Sequence, residues 1–226
     1  MTSTGNDIIS LNAINVARTN QPQFYSKILS DTEKDLYNQP GFVAIPFENF
    51  VWLLWSIKES AYKYLQRKDP GLIFHPVKFI VKQLQVPFGH TVTNCEAIET
   101  EGADFDDQTV LKGVITYGPD TLYSRSLIYT ELILSVVNDN QNFENTFWGV
   151  KLIDKCGPDH QSTEVRRCLV NRLKRLFPES NPIIVKSPHG FPVILNKKNE
   201  EADIPVSLSH HDDMVAYAIQ LGNISN

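Results

Sequence analysis

The sequence predicts an α+β fold, a pseudo-twofold duplication of two halves in which each half is a long helix packed on an antiparallel sheet. Three observations point there. Apolar residues recur at helical spacing from Glu48 to about Lys68 and again from Gln161 to Phe177. Each of these helices is followed by β-branched or alternating runs, separated by Gly, Asp and Asn clusters, which read as antiparallel strands. At 226 residues the chain is long enough for one large domain or two small ones sharing a core. We place the first half at residues 1–142 and the second at 143–226, with one composite site between them. The duplication is one of plan, since no literal repeat is visible.

In chain order, Ile8-Ile-Ser-Leu11 is a strand leading into a loop or a short helix. Ser30-Asp-Thr-Glu33 has the capping-box pattern that starts a helix through Leu36 and Tyr37, and Pro40-Gly41 ends it. In the long helix Phe47, Val51, Leu54, Ala61 and Leu65 form an apolar stripe broken only by Lys58, and Asp69-Pro70-Gly71 stops it. Strands are expected at Val77–Val86, Val110–Tyr117, Leu122–Val137 and Phe147–Ile153, with the acidic, Gly-containing Glu99–Gln108 as a solvated loop. The second helix carries Val165, Leu169, Leu173 and Leu176 on its apolar side, several Arg and Lys opposite, and closes at Pro178. Ile183–Val185 and Val193–Leu195 are short strands joined by a turn, and Ile204–His210 and Met214–Leu221 complete the chain as strands.

Composition removes several function classes. With 21 Lys plus Arg against 26 Asp plus Glu, the net charge is −5, which disfavours a general nucleic-acid or anionic-membrane binder, because both need a basic surface. The longest strongly apolar run, Phe50 to Trp55, is far shorter than the ~20 residues of a membrane span. Neither a secretory signal nor a lipidation motif is read, so a cytoplasmic address is expected. Cys95, Cys156 and Cys168 have no metal-ligand spacing and are expected to be ordinary thiols.

Four groups of residues could carry chemistry. Trp55, Glu59 and Lys63 fall at i, i+4 and i+8, on one helix face, where a carboxylate and an ammonium could hold a metal and balance phosphate charge; the same spacing also suits an ordinary helix ion pair. Asp7, just before Ile8-Ile9, could join Glu59 in a hard oxygen site of the kind Mg²⁺ takes, or simply cap a turn. In Ser207-Leu-Ser-His210 the strand alternation puts both serines on one face, ready for phosphate or for a polar turn. Arg166 and Arg167 could reach an anionic ligand, or lie in solvent as most residues of a charge-rich helix do.

Together these pieces resemble the 4′-phosphopantetheinyl transferase superfamily. Trp55-Ser-Ile-Lys-Glu-Ser-Ala-Tyr-Lys63 looks like the family's Trp-x-x-Lys-Glu-(Ser/Ala)-x-x-Lys signature, and Gly5-Asn-Asp-Ile8 is similar to its Gly-x-Asp motif. Ile28 to Glu33 is similar to the helix entry between them, Gly190-Phe-Pro192 to the Gly-Lys-Pro turn, and Ser207 to His210 to the Ser-His motif. The motif order resembles that of the small holo-acyl-carrier-protein synthases, whereas the length resembles the monomeric surfactin type. The resemblance implies a monomeric pseudo-dimer that transfers 4′-phosphopantetheine from coenzyme A to a serine of an apo acyl or peptidyl carrier protein and releases adenosine 3′,5′-bisphosphate. Such an enzyme would serve fatty-acid or secondary-metabolite biosynthesis.

It further implies that Asp7 and Glu59 hold Mg²⁺, that Glu59 takes the serine proton directly or through water, and that Lys63 stabilises the leaving phosphate. Ser209, His210, Gly190 and Arg166 or Arg167 would bind coenzyme A, with Lys58 as a helper. The chain departs from the pattern at Ile9, where surfactin-type enzymes often have a second acid, at Ala13, where the small synthases often have an Arg, and at Phe191, where the turn has Lys. The departure at 191 leaves open a degenerate relative that binds a carrier protein or nucleotide without catalysis. An unrelated magnesium phosphotransferase is disfavoured because no Gly-rich phosphate loop occurs.

Overall fold

The computed structural model describes residues 3–95 and 99–222. Strand β1 (Gly5–Ser10) leads through a 3-10 turn into the short helices α1 (Val16–Thr19), α2 (Pro22–Tyr25) and α3 (Asp31–Tyr37), and then α4 (Phe47–Gln66). Six strands follow: β2 (Ile80–Gln85), β3 (Glu99–Ala103), β4 (Leu111–Tyr117), β5 (Asp120–Ile128), β6 (Leu132–Asn138) and β7 (Thr146–Leu152). Helix α5 (Pro158–Leu176) precedes β8 (Ile183–Lys186), β9 (Pro192–Leu195), β10 (Val206–His211) and β11 (Met214–Gln220).

The strands form an antiparallel sheet in the order β1-β6-β5-β4-β2, a second in the order β10-β11-β7-β3, and a β8-β9 hairpin. Helix α4 packs on β1 and β6, and α5 on β11, β10 and β7, which is the predicted helix-on-antiparallel-sheet architecture. The two sheets differ in strand order, and their topology alone does not establish the duplication.

Alternation along β1 decides which side chain faces what. Ile9 lies in the core beneath α4 with Phe50, Leu54 and Ile57, so Asp7, two residues earlier, shares that face. Ile8 points the other way, into a cluster with Leu134, Trp148, Val150 and Ala216 that joins the two sheets. A third core, built on Leu169, Leu173, Val206 and Tyr217, lies under α5. The close packing of β1 on α4 requires glycine at position 5, where an added Cβ would stand only 1.9 Å from the Ser60 carbonyl oxygen.

Three elements differ from expectation. Glu99–Ala103 is a strand rather than a solvated loop: it pairs with β7, and Glu101 is drawn inward by Arg172, Arg175 and the Tyr217 hydroxyl, 2.7 Å away. Long-range partners offset the acidity that suggested solvent. Leu122–Val137 is two strands, β5 and β6, because the chain reverses around Thr130 and Glu131. The run beginning at Val77 opens instead as a 3-10 turn, Pro76–Lys78, since Pro76 fixes its own φ and lacks the N–H a strand would use.

Candidate active site

The site lies where β1 and β10, edge strands of different sheets, come side by side. No backbone ladder joins them; side chains do. The Asn6 amide donates to Ser207 Oγ at 2.9 Å, and Asn6 Nδ2 donates to Ser209 Oγ at 2.8 Å. At the other end the Ser10 amide donates to His211 Nδ1 at 3.0 Å, which places the proton of this neutral imidazole on Nε2. The Ser10 hydroxyl adds a 3.2 Å bond to Asp213. The serines of β10 satisfy edge-strand groups of β1 that would otherwise be buried without partners.

Behind this seam stands α4. Ser56 Oγ donates to the Asp7 carbonyl at 3.3 Å, and Ser60 Oγ to that of Ser135 at 3.1 Å, fixing the helix over β1 and β6. Lys63 reaches down to Asp7 Oδ1 at 3.0 Å and back to Glu59 Oε1 at 3.2 Å. Two carboxylates from separate elements thus meet at one ammonium. Asp7 is only 3% exposed, and its Oδ2 has no hydrogen-bond partner among the described residues.

The charges follow from this crowding. Burial pushes the Asp7 carboxyl up to about 7; the Lys63 ammonium opposes the rise and the Glu59 charge adds to it. Burial alone would lower Lys63, but Asp7 and Glu59 together hold it above its ordinary value. Although His210 keeps an exposed edge, its surroundings, then Lys63, hold its imidazole below the usual range, against the opposing charge of Glu59. With both acids ionised the cluster carries one negative charge in excess, beside an unpartnered carboxylate oxygen. Either a proton or a cation relieves that excess.

The other predicted residues divide. Ser209 and His210 lie on β10 at this seam, Ser209 with its hydroxyl committed to Asn6. Gly190 has φ +91° in the turn between β8 and β9, a conformation that favours glycine. Arg166 is bound to Ser162 of its own helix, and Arg167 pairs with Glu164 at 2.5 Å, so among the described residues their partners lie on α5 and not at Asp7, Glu59 or Lys63. Lys58 faces the interior, where its fully buried ammonium meets the Ile28 carbonyl at 2.5 Å and Glu33 at 2.8 Å. That pair explains the cation interrupting the apolar stripe. Glu33 also accepts from the Ser30 and Val81 amides, at 2.7 and 2.8 Å, so the capping box read from sequence doubles as the counter-charge of Lys58.

Sequence reasoning missed Asn6, whose amide and side chain bond to Ser207 and Ser209 of β10. Asn6 sits inside the Gly-x-Asp motif at its variable position, and only strand alternation marks it as facing away from Asp7. A cavity of about 540 Å³ lies elsewhere, lined by Leu173, Phe177, Ile194 and Ile204 and by none of the candidate side chains.

Among the described residues no helix is long and apolar enough to cross a membrane, and no group of three or more His, Cys, Asp or Glu side chains could hold a metal ion. No curated protein and no solved structure matches the chain. Residues 3–105, the stretch containing Asp7, Glu33, Glu59 and Lys63, match the family model of the 4′-phosphopantetheinyl transferase superfamily.

Proposed function

We propose that the protein, acting as a monomer in the cytoplasm, transfers 4′-phosphopantetheine from coenzyme A to a serine hydroxyl of an apo acyl or peptidyl carrier protein and releases adenosine 3′,5′-bisphosphate. The observation that carries this reading is the meeting of Asp7 and Glu59 at Lys63.

The donor set fits a hard divalent cation. Mg²⁺ uses one or two carboxylates and completes its shell with water and substrate phosphate oxygens, so a site without a third protein ligand suits it. Asp7, with its unpartnered Oδ2, and Glu59 would hold the ion. When bound, Mg²⁺ would neutralise charge on the pyrophosphate as the phosphoanhydride is cleaved.

The chain's own residues supply the remaining work. Glu59 is the partly exposed acid of the pair, at 27%, and takes the proton from the carrier serine directly or through one water. That oxygen attacks the β-phosphorus of coenzyme A, and the bond to the leaving adenosine phosphate breaks. Lys63 lies within reach of both carboxylates and stabilises the negative charge developing on that phosphate. His210 and the Gly190 turn approach from the second half and hold coenzyme A, together with Arg166 or Arg167, while Ser209, buried with its hydroxyl committed to Asn6, holds the strand of His210 against β1. Lys58 is left out of this set because it is buried against Glu33.

Mass spectrometry of an apo carrier protein incubated with coenzyme A, Mg²⁺ and the protein tests the reading. A phosphopantetheine increment that vanishes with Glu59→Ala supports it. Absence of the increment across several carriers, with coenzyme A still bound in calorimetry, would favour a binding protein without catalysis.

A further inference from the structure

Arg67 lies one helical turn beyond Lys63 and two beyond Glu59, so the three continue along one face of α4. It is the residue that caps α4 at its C-terminal end, and its guanidinium leaves the helix for the second half of the chain. One nitrogen, Nη2, donates to the Pro192 carbonyl at 2.6 Å and to the Val206 carbonyl. The guanidinium also lies over the Phe191 ring, 4.9 Å from its centroid, and His189 stacks near that ring at 6.0 Å. Pro192 opens β9 and Val206 opens β10. A single side chain therefore ties the end of the helix to the Gly190 turn and to the first residue of the strand bearing Ser209 and His210.

The tie matters because β10 has a ladder on one side only. It pairs with β11, while toward β1 its Ser207, Ser209 and His211 side chains accept from the Asn6 amide, the Asn6 side chain and the Ser10 amide. Those bonds fix β10 against β1; Arg67 acts at its beginning, from α4. A planar guanidinium can stack on an aromatic ring while donating in its own plane, which a lysine ammonium cannot do. Resting on the transferase reading above, we propose that Arg67 is a positioning residue, setting the Gly190 turn and the Ser209–His210 strand at the distance from Glu59 and Lys63 that coenzyme A must span.

Two variants and two measurements test it. Arg67→Met keeps the stem and removes the fork; Arg67→Lys keeps the charge. Amide hydrogen exchange is followed at Asn6 and Ser10, whose N–H groups bond to β10, against Ile115 and Leu122 in the β4–β5 ladder. Calorimetry measures coenzyme A affinity. In Arg67→Met, exchange at Asn6 is expected to accelerate about tenfold and coenzyme A affinity to fall about tenfold, with the β4–β5 amides unchanged. Arg67→Lys is expected to be intermediate in both. Unchanged exchange at Asn6 and Ser10, a uniform loss of protection through both sheets, or faster seam exchange with undiminished affinity would each overturn the proposal. The exchange measurement needs no substrate, so a failure of the transferase reading leaves it interpretable.

Discussion

Lys63 on α4 donates to Asp7 on β1 across 3.0 Å, closing a separation of 56 residues in the chain. Glu59 meets the same ammonium from one turn earlier on the helix, so a pair of like charges is held together by one cation. This arrangement governs how the protein should respond to pH, to loss of either acid, and to any change in the spacing between helix and strand.

The Asp7 carboxyl, raised by burial to about 7 from an ordinary 3.8, binds its proton more tightly in the folded chain than in the unfolded one. Its contribution to stability is therefore whole below 3.8, declines as pH rises, and is gone above about 7. Denaturant titrations between pH 4 and 8 should show this fall, and Asp7→Asn should flatten it. Transfer activity and Mg²⁺ affinity should run the opposite way, rising with pH through the same window as Asp7 ionises. A wild-type stability profile identical to that of Asp7→Asn would contradict the assignment.

Glu59→Gln keeps the shape of the side chain and removes its charge. The ion pair it loses is a partly exposed helix pair, worth only about 0.3–0.5 kcal/mol, so the melting temperature should change little. Transfer should nevertheless fall by about 10²–10⁴-fold, the usual range for a lost general base, with Mg²⁺ affinity reduced in calorimetry. Full activity in this variant would remove Glu59 from the chemistry.

The buried Lys58–Glu33 pair makes a contrasting prediction. Lys58→Met would strand the Glu33 carboxylate inside the core and should cost about 3–5 kcal/mol in urea unfolding. Glu33→Gln/Lys58→Met should recover part of that loss, since no full charge then remains unpaired. If Lys58→Met instead keeps its stability and weakens coenzyme A binding, the residue belongs to the ligand site after all.

Gly5→Ala should separate β1 from α4. Its methyl group would meet the Ser60 carbonyl at 1.9 Å, and backbone on a packed helix cannot yield as a flexible side chain can. Overpacking of this kind costs about 1–3 kcal/mol. Because the same displacement draws Asp7 away from Lys63, activity should drop even at temperatures where the variant is fully folded. Thermal denaturation and the carrier assay together separate the two effects.

The periods of α4 and α5, the capping box at Ser30 and the strand character of β4, β10 and β11 are local properties, and the sequence by itself determined them through side-chain size, branching and backbone bonding. It also placed Glu59 and Lys63 together, since helical spacing is enough for that. It misread Glu99–Ala103, because the pull of Arg172 and Arg175 on Glu101 comes from some 70 residues away. Only the tertiary structure brought Asp7 beneath the helix, hid Lys58 against Glu33, and committed Ser207 and Ser209 to Asn6. Each of these depends on which edge strand lies beside which, and that choice rests on burying three apolar clusters at once, a condition no short stretch of residues expresses alone.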